Sequence, residues 1–312
     1  MTCSFAWDAA ELPAWGTAPR ADFWVALEQT GPWGAKAFTH SRLDPAVGAA
    51  IEQAAADAGG RALLIRRPGR HADHADHPVR QVYVAGGLAA RPWLLAGRVM
   101  EPEQILELPF ANLASADPGA LVAAHDWLRP VEGGVLMVCA NAKRDLCCAL
   151  RGRPIALELD SRRPGRVWEC THTGGHRFAP TGVLLPSGQC LARLTPQVAV
   201  AALTALDAGR LAAESLGPWH DRGRSHLEPR AAVAEAHVRA LIGETDPGAL
   251  SVDRAGQDSD AEGLIQVTHR DGGTWTVRLT LAIHPDDLPE SCAKAAVTAH
   301  WWSAEVVGRP SA

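Results

Sequence analysis

Two stretches organise this sequence: VLMVCANAKRDLCCAL at residues 135–150 and VWECTHTGGHRFAPTGVLL at residues 167–185. They carry two pairs of side chains that bind soft metals, one of cysteines and one of histidines. The pairs are Cys139 with Cys148, in a C-x8-C spacing, and His172 with His176, in an H-x3-H spacing. An apolar, strand-like run precedes each pair. We therefore predict a metal centre of two cysteines and two histidines, each pair placed at the end of a buried strand.

The histidine pair predicts a tight loop and not a helix. Helical positions four apart also meet, as in H-E-x-x-H zinc sites. Here Gly174 and Gly175 lie between the histidines, and each glycine disfavours a helix by about 1 kcal/mol relative to alanine. Glycine also allows positive φ angles and close approach of the backbone to a neighbour. We expect a glycine loop whose free backbone N–H groups point toward sulfur at the centre.

The donor set leaves the metal open. Two thiolates and two imidazoles suit a tetrahedral zinc ion, and they also suit a [2Fe–2S] cluster with Rieske-like ligation. Zinc fingers place their cysteines about two to four residues apart, whereas eight residues separate this pair. A loop of that length is long for one zinc ion but wide enough to pass around two irons. The spacing therefore favours iron–sulfur, with zinc as the alternative.

Both stretches resemble the sucrase/ferredoxin-like family, whose members are similar to thioredoxin-fold ferredoxins. Further similarity lies in Cys3-Ser4, residues 16–34, RGRSHLEP at residues 222–229 and Glu290-Ser291-Cys292. The resemblance implies a [2Fe–2S] cluster bound by four residues: Cys139, Cys148, His172 and His176. Histidines replace the C-x3-C pair of thioredoxin-like ferredoxins, which implies the histidine-ligated branch. The resemblance further implies that the protein carries or senses single electrons. It also implies that the protein exchanges them with a redox partner protein or reductase.

Histidine ligation predicts a reduction potential above that of plant-type ferredoxins. Two neutral imidazoles in place of two thiolates make the centre about two charges less negative. Adding an electron to a nearly neutral centre is easier than adding one to an anionic centre. The expected potential is therefore nearer the Rieske range.

Other interpretations of the same residues stay open. Cys147 directly precedes Cys148 and competes for its ligand position, and Cys170 stands two residues before His172 in a C-x-H spacing. A zinc-stabilised binding module would use the same four ligands. A thiol oxidoreductase would use Cys147 with Cys148, or Cys139, although the chain has no C-x-x-C pair and adjacent cysteines form disulfides poorly. The remaining cysteines are expected to be structural thiols: Cys3, Cys190 and Cys292.

Composition argues against several classes of protein. The 312 residues are 47% hydrophobic and 21% charged, which predicts folded domains and not disorder. A net charge of −5 gives no electrostatic reason to bind nucleic acid or an anionic membrane. We find no apolar run of about 18 residues and no signal peptide, and the cysteine pattern favours the cytoplasm. No motif places paired carboxylates for glycoside hydrolysis, so sucrase activity has no support in the sequence.

Hydrophobic periodicity predicts an α/β (α+β) fold in three parts. We expect residues 1–117 to form a thioredoxin-like unit without cluster ligands. The resemblance implies that residues 118–215 form a thioredoxin-like ferredoxin domain, and the order β-α-β-β-α predicted for this segment is compatible with it. Residues 216–312 are expected to form a small α+β module. Two units of similar order suggest an internal duplication.

Several segments are expected to lie outside the cores. Residues 1–20 are predicted to be an irregular leader, residues 93–118 a connector with short elements, and residues 219–229 a polar linker or docking loop. His71, His74 and His77 recur at three-residue spacing. They favour a solvated loop, with a nickel or zinc loop as the alternative.

Overall fold

The computed structural model describes residues 2–69, 78–253, 263–292 and 294–307. Over these residues the fold is α/β, as predicted, with a ten-stranded mixed sheet and a four-stranded antiparallel sheet. The run containing His71, His74 and His77 lies outside the described residues.

The α-helices of the described residues cover both sheets. They are α1 (Cys3–Ala9), α2 (Ala37–His40), α3 (Pro45–Asp57), α4 (Pro118–Ala124), α5 (Arg153–Arg162), α6 (Pro196–Asp207) and α7 (Pro229–Ile242). Five of them carry proline in the first turn, where its missing N–H is not needed. Asp44, Asp117 and Thr195 cap three helices through side-chain oxygens that accept backbone N–H groups. None of the helices in the described ranges has the length and apolarity needed to cross a lipid bilayer.

The first half of the large sheet is built on five strands. They are β1 (Trp24–Glu28), β2 (Arg61–Arg66), β3 (Arg80–Gly86), β4 (Trp93–Val99) and β5 (Leu128–Pro130). β1 pairs in parallel with β2 and antiparallel with β3. β4 then lies between β3 and β5, antiparallel to both. The sheet order in this half is β2-β1-β3-β4-β5.

The second half repeats this arrangement. Its strands are β6 (Val135–Cys139), β7 (Val167–Cys170), β8 (Gly182–Leu185), β9 (Gln189–Leu191) and β10 (Asp221–Arg224). β6 pairs in parallel with β7 and antiparallel with β8, and β9 is antiparallel to β8. The order β7-β6-β8-β9 thus has the same strand directions as β2-β1-β3-β4. The thioredoxin-like assignment of each half stays a prediction.

A buried ion pair lies where the two halves join. β2 and β7 run antiparallel, with Arg66 opposite Glu169. The Arg66 guanidinium donates to the Glu169 carboxylate at 2.7 Å, and both side chains are almost fully buried. The Trp33 ring covers the guanidinium, with 4.2 Å between Cζ and the ring centroid. The two halves therefore form one continuous sheet.

The C-terminal sheet packs on α7. Its strands, in order, are β11 (Leu250–Val252), β12 (Gly263–His269), β13 (Thr274–Pro289) and β14 (Ala296–Val306). β12 and β13 form a hairpin around Asp271-Gly272-Gly273. Val233 and Val238 of α7 pack against apolar side chains of β12 and β13, which include Ile265 and Val277.

Two of the segments expected to lie outside the cores contain regular structure. The predicted leader contains α1, whose Trp7 is buried against Phe178 with 5.2 Å between ring centroids. The predicted connector contains β4, which hydrogen-bonds along its whole length to β3. Short 3₁₀ turns at Pro102–Glu107 and Phe110–Asn112 follow it.

The prediction of a polar linker at residues 219–229 was wrong. Residues 221–224 form β10, and all four are buried. The segment is polar, but its arginines are hydrogen-bonded: Arg224 donates to the carbonyls of Leu88 and Pro247. Buried polar groups are tolerated when they are hydrogen-bonded.

Candidate metal centre

Cys139 ends a fully buried strand. β6 lies between β7 and β8, and its last residue stands beside Cys170 in the parallel register. The Cys139 N–H donates to the Thr181 carbonyl at 2.9 Å, and the Ala140 N–H donates to the Cys170 carbonyl at 3.0 Å. Backbone hydrogen bonds on both sides thus fix the position of the Cys139 side chain.

The loop after Cys139 folds back on itself. The side-chain oxygen of Asn141 accepts a hydrogen bond from the Lys143 N–H at 3.1 Å. The backbone carbonyl of Asn141 accepts one from the Asp145 N–H, also at 3.1 Å. The Asn141 amide also donates to the Gly34 carbonyl at 3.1 Å. The loop ends in a π-helical turn, Cys148–Gly152, a rare geometry that is frequent at functional sites.

Cys139 and Cys148 form a buried pair, with exposures of 0% and 1%. A side-chain hydrogen bond from Cys148 holds the pKa of the Cys139 thiol well below its usual range, although burial opposes this effect. His172 and the Thr173 backbone lower it further. The same contact with Cys139, together with burial, raises the pKa of Cys148. One of the two sulfurs is therefore favoured as a thiolate, the form that binds metal.

The histidine segment forms the predicted glycine loop. Gly174 and Gly175 have φ angles of +73° and +66°, a region that favours glycine. A single 3₁₀ turn at His176–Phe178 follows. The imidazole rings of His172 and His176 lie with their centroids 5.2 Å apart.

Arg222 holds this loop in place from β10. Its guanidinium is buried and donates to the carbonyls of Thr173 at 3.4 Å and Gly174 at 3.2 Å. It also donates to the Thr17 carbonyl and to the Thr17 hydroxyl, the latter at 3.1 Å. A Cβ on Gly175 would lie 2.6 Å from Arg222 Cζ. Glycine is therefore required there for space as well as for its φ angle.

The histidines carry free donor atoms suited to a metal. The Nδ1 atoms of His172 and His176 are buried and have no hydrogen-bond partner within the described ranges. Buried polar atoms are otherwise almost always paired, so two orphaned imidazole nitrogens beside two buried thiols fit a metal centre. His176 Nε2 lies 3.6 Å from Asp145 Oδ2. Burial lowers the pKa of His176, which keeps its ring neutral and able to bind metal.

Sequence comparison places these residues in a known family. The profile of the Sucrase/ferredoxin-like family matches residues 14–208, more than half of the chain. This chain belongs to the sucrase/ferredoxin-like family. Comparisons with curated proteins and with solved structures returned no match.

The part of this sucrase/ferredoxin-like protein that matches its family contains all four predicted ligands. Cys148 and His172 lie close enough to Cys139 to lower the pKa of its thiol, and the rings of His172 and His176 are neighbours. We call Cys139, Cys148, His172 and His176 the four-ligand site. Their role as ligands stays a prediction.

Cys170 and Cys190 are buried thiols of the sheet. Burial raises the pKa of Cys170 well above its usual range and that of Cys190 to about 12. Protonated thiols in apolar strands behave as small hydrophobic side chains. The structure therefore favours a structural role for both Cys170 and Cys190. It disfavours Cys170 as the alternative ligand.

Sequence reasoning missed a second cluster beside the first. The sulfurs of Cys3, Cys147 and Cys292 lie 3.0–3.6 Å apart. Asp145 adds a carboxylate, and all four ligand atoms lie within 4.8 Å of one another. We call these four residues the three-thiol site. Their separation along the chain, up to 289 positions, hides them from spacing rules. The only signal was the resemblance around Cys3-Ser4 and Ser291-Cys292.

Proposed function

We propose that this protein binds a [2Fe–2S] cluster at the four-ligand site and carries or senses single electrons. The observation that carries the proposal is a buried cysteine pair beside two imidazoles whose buried Nδ1 atoms have no hydrogen-bond partner among the residues that the structure describes. Membership of the sucrase/ferredoxin-like family supports it. Cys139 and Cys148 would supply thiolates, and His172 and His176 would bind through Nδ1. When bound, such a cluster accepts and returns one electron at a time.

The protein shields the cysteine side of the site and leaves the histidine side more open. Both cysteines are almost fully buried, whereas both histidines are half-buried. Helix α1 packs over the turn that carries His176, through Trp7 and Phe178. Electrons would therefore enter and leave through the imidazole edges.

The surface beside the site suits a protein partner with acidic groups. Lys143 and Arg144 are exposed in the segment between Cys139 and Cys148, which we call the ligand loop. Leu146 and Leu150, close to them in sequence, are 49% and 56% exposed. An apolar centre with positive charge at its border steers an acidic partner and orients it. We propose that a redox protein or reductase of that charge docks here.

Zinc is the second candidate for the same donors. Two thiolates and two imidazoles also satisfy tetrahedral zinc, which would make the site structural and redox-inactive. Colour separates the two cases, because iron–sulfur protein absorbs visible light and zinc protein does not.

The test is metal content and absorbance of anaerobically purified protein. We expect about two irons per chain and visible absorbance. Cys148→Ser should lose both, whereas Cys190→Ser, which removes an equally buried thiol of β9 that is not one of the four ligands, should keep both. A colourless protein that holds zinc on these residues would contradict the proposal. So would retention of iron by Cys148→Ser.

A further inference from the structure

The three-thiol site collects residues from three distant parts of the chain. Cys3 belongs to α1, Asp145 and Cys147 to the ligand loop, and Cys292 to the segment between β13 and β14. The Cys147 and Cys292 sulfurs are 3.0 Å apart, and Cys3 lies 3.4 Å from the first and 3.6 Å from the second. All three are free thiols. The shortest sulfur–sulfur distance, 3.0 Å between Cys147 and Cys292, is longer than the roughly 2.05 Å of a disulfide bond.

The site is closed on all sides except one. Cys3 and Cys147 are 0% and 1% exposed, Asp145 is buried, and Cys292 is exposed. A buried carboxylate among thiols is costly unless a cation or hydrogen-bond donors compensate its charge. The exposed Cys292 leaves an entry path from solvent.

Asp145 is held in position by donors around it. Its Oδ2 accepts the Ser291 hydroxyl at 2.9 Å and the Cys292 N–H at 3.0 Å. Its Oδ1 accepts the Cys147 N–H at 3.0 Å. A carboxylate offers about four lone-pair positions, so these three bonds orient Asp145 and leave a position on Oδ1 for a metal. Such outer hydrogen bonds are typical of built metal sites.

A further buried group near the site lacks a partner. The Ser4 hydroxyl is fully buried and has no hydrogen-bond partner in the described parts of the chain. It lies close enough to Cys147 to influence that thiol. A hydroxyl in this position can donate to a metal-bound thiolate, which is a common outer contact of thiolate sites.

We propose that Cys3, Cys147, Cys292 and Asp145 bind a zinc ion. Three thiolates exclude magnesium and calcium, which take oxygen ligands, and a compact set of four donors matches tetrahedral zinc. The ion would join α1 and the C-terminal sheet to the ligand loop. Its ligand in that loop, Cys147, directly precedes Cys148. The site would be structural and does not depend on what the four-ligand site holds.

The test uses full-length protein produced with zinc and purified anaerobically. We expect about one zinc per chain, and X-ray absorption should show three sulfurs at about 2.3 Å and one oxygen at about 2.0–2.2 Å. Cys292→Ser, at an exposed position, should weaken zinc binding more than the roughly 100-fold that loss of an outer contact costs. Visible absorbance should persist in that variant. Cys190→Ser should bind zinc as the natural chain does.

Three results would overturn the proposal. One is zinc surrounded by two sulfurs and two imidazole nitrogens, because that set is the four-ligand site. Another is a Cys147–Cys292 disulfide in the anaerobic protein. The third is absence of zinc while all three thiols react freely with a thiol reagent. Cadmium titration of the unchanged chain, followed by its thiolate charge-transfer band, tests the site without any variant. A protein that holds zinc on Cys3, Cys147, Cys292 and Asp145 but contains no iron would contradict the proposed function and leave the zinc proposal intact.

Discussion

Asp145 Oδ2 lies 3.6 Å from His176 Nε2 and accepts a hydrogen bond from the Cys292 backbone at 3.0 Å. One carboxylate therefore contacts both the four-ligand site and the three-thiol site. Burial opposes ionisation of Asp145, but hydrogen bonds from Cys292 and Ser291 and the nearby His176 outweigh it and lower its pKa. A charged Asp145 therefore lies between the two sites.

Substitution of Gly175 should displace the histidine loop. Gly175→Ala forces a β-carbon against Arg222 at a φ of +66°, and we expect a loss of about 3 kcal/mol in the free energy of unfolding, together with lower metal content. Gly209 has a φ of +67° with no atom within 4 Å of its would-be Cβ. Gly209→Ala should therefore cost only about 1 kcal/mol and leave metal content unchanged. Urea unfolding and metal analysis of both variants check this, and equal effects would show that crowding at Gly175 does not matter.

Removal of Arg222 should loosen the same loop from the other side. Arg222→Ala leaves the carbonyls of Thr173 and Gly174 without a donor, which should cost about 3 kcal/mol and lower iron content. Arg239 is an equally buried arginine, paired with Glu235 inside α7. Arg239→Ala should destabilise the fold by a similar amount without a change in iron per folded chain. Iron loss in both variants would mean that Arg222 has no special role in the site.

The ion pair between the two halves of the sheet should be important for stability. Glu169→Gln leaves the Arg66 charge buried without its carboxylate, and we expect a loss of about 3–5 kcal/mol. The exposed pair between Glu158 and Arg162 is the control, and Glu158→Gln should cost about 0.5 kcal/mol or less. Thermal or urea unfolding measures both. A small effect of Glu169→Gln would mean that the joint relies on backbone pairing alone.

The C-terminal sheet should lose stability as the pH rises. Hydrogen bonds from His269 to Glu244 at 2.9 Å, and then to Asp271, raise the pKa of His269. Its stabilisation is fully present below the unfolded pKa of about 6.5 and is lost as the pH rises through the higher folded pKa. The natural chain should therefore melt at a higher temperature than His269→Gln at pH 6, and the difference should shrink toward pH 9. A difference that is constant over this range would contradict the assignment.

Local patterns in the sequence predicted the strands around the four-ligand site well. Strands β6 and β7 lie at the apolar runs that precede the two ligand pairs, as predicted, because each is a short apolar run bounded by glycine or loop residues. The glycine loop between the histidines was also predicted, since two adjacent glycines disfavour a helix. The family and the α/β class followed from the same stretches.

What the sequence did not reveal depends on contacts between distant residues. Strand β4 follows Pro92 and contains Gly97, two residue types that disfavour a strand. It forms because it pairs with β3. Strand β10 reads as an exposed charged segment, and it is buried because Arg222 and Arg224 find carbonyl partners elsewhere. The three-thiol site forms only when both ends of the chain reach the ligand loop.

The most direct test of the central claim is electron paramagnetic resonance of dithionite-reduced protein, purified without oxygen and assayed for iron and zinc. Binding of a [2Fe–2S] cluster by Cys139, Cys148, His172 and His176 predicts an unpaired-electron signal with about two irons per chain. Nitrogen hyperfine coupling from the histidines should accompany it. A silent spectrum from protein that carries zinc and no iron at these four residues would contradict it.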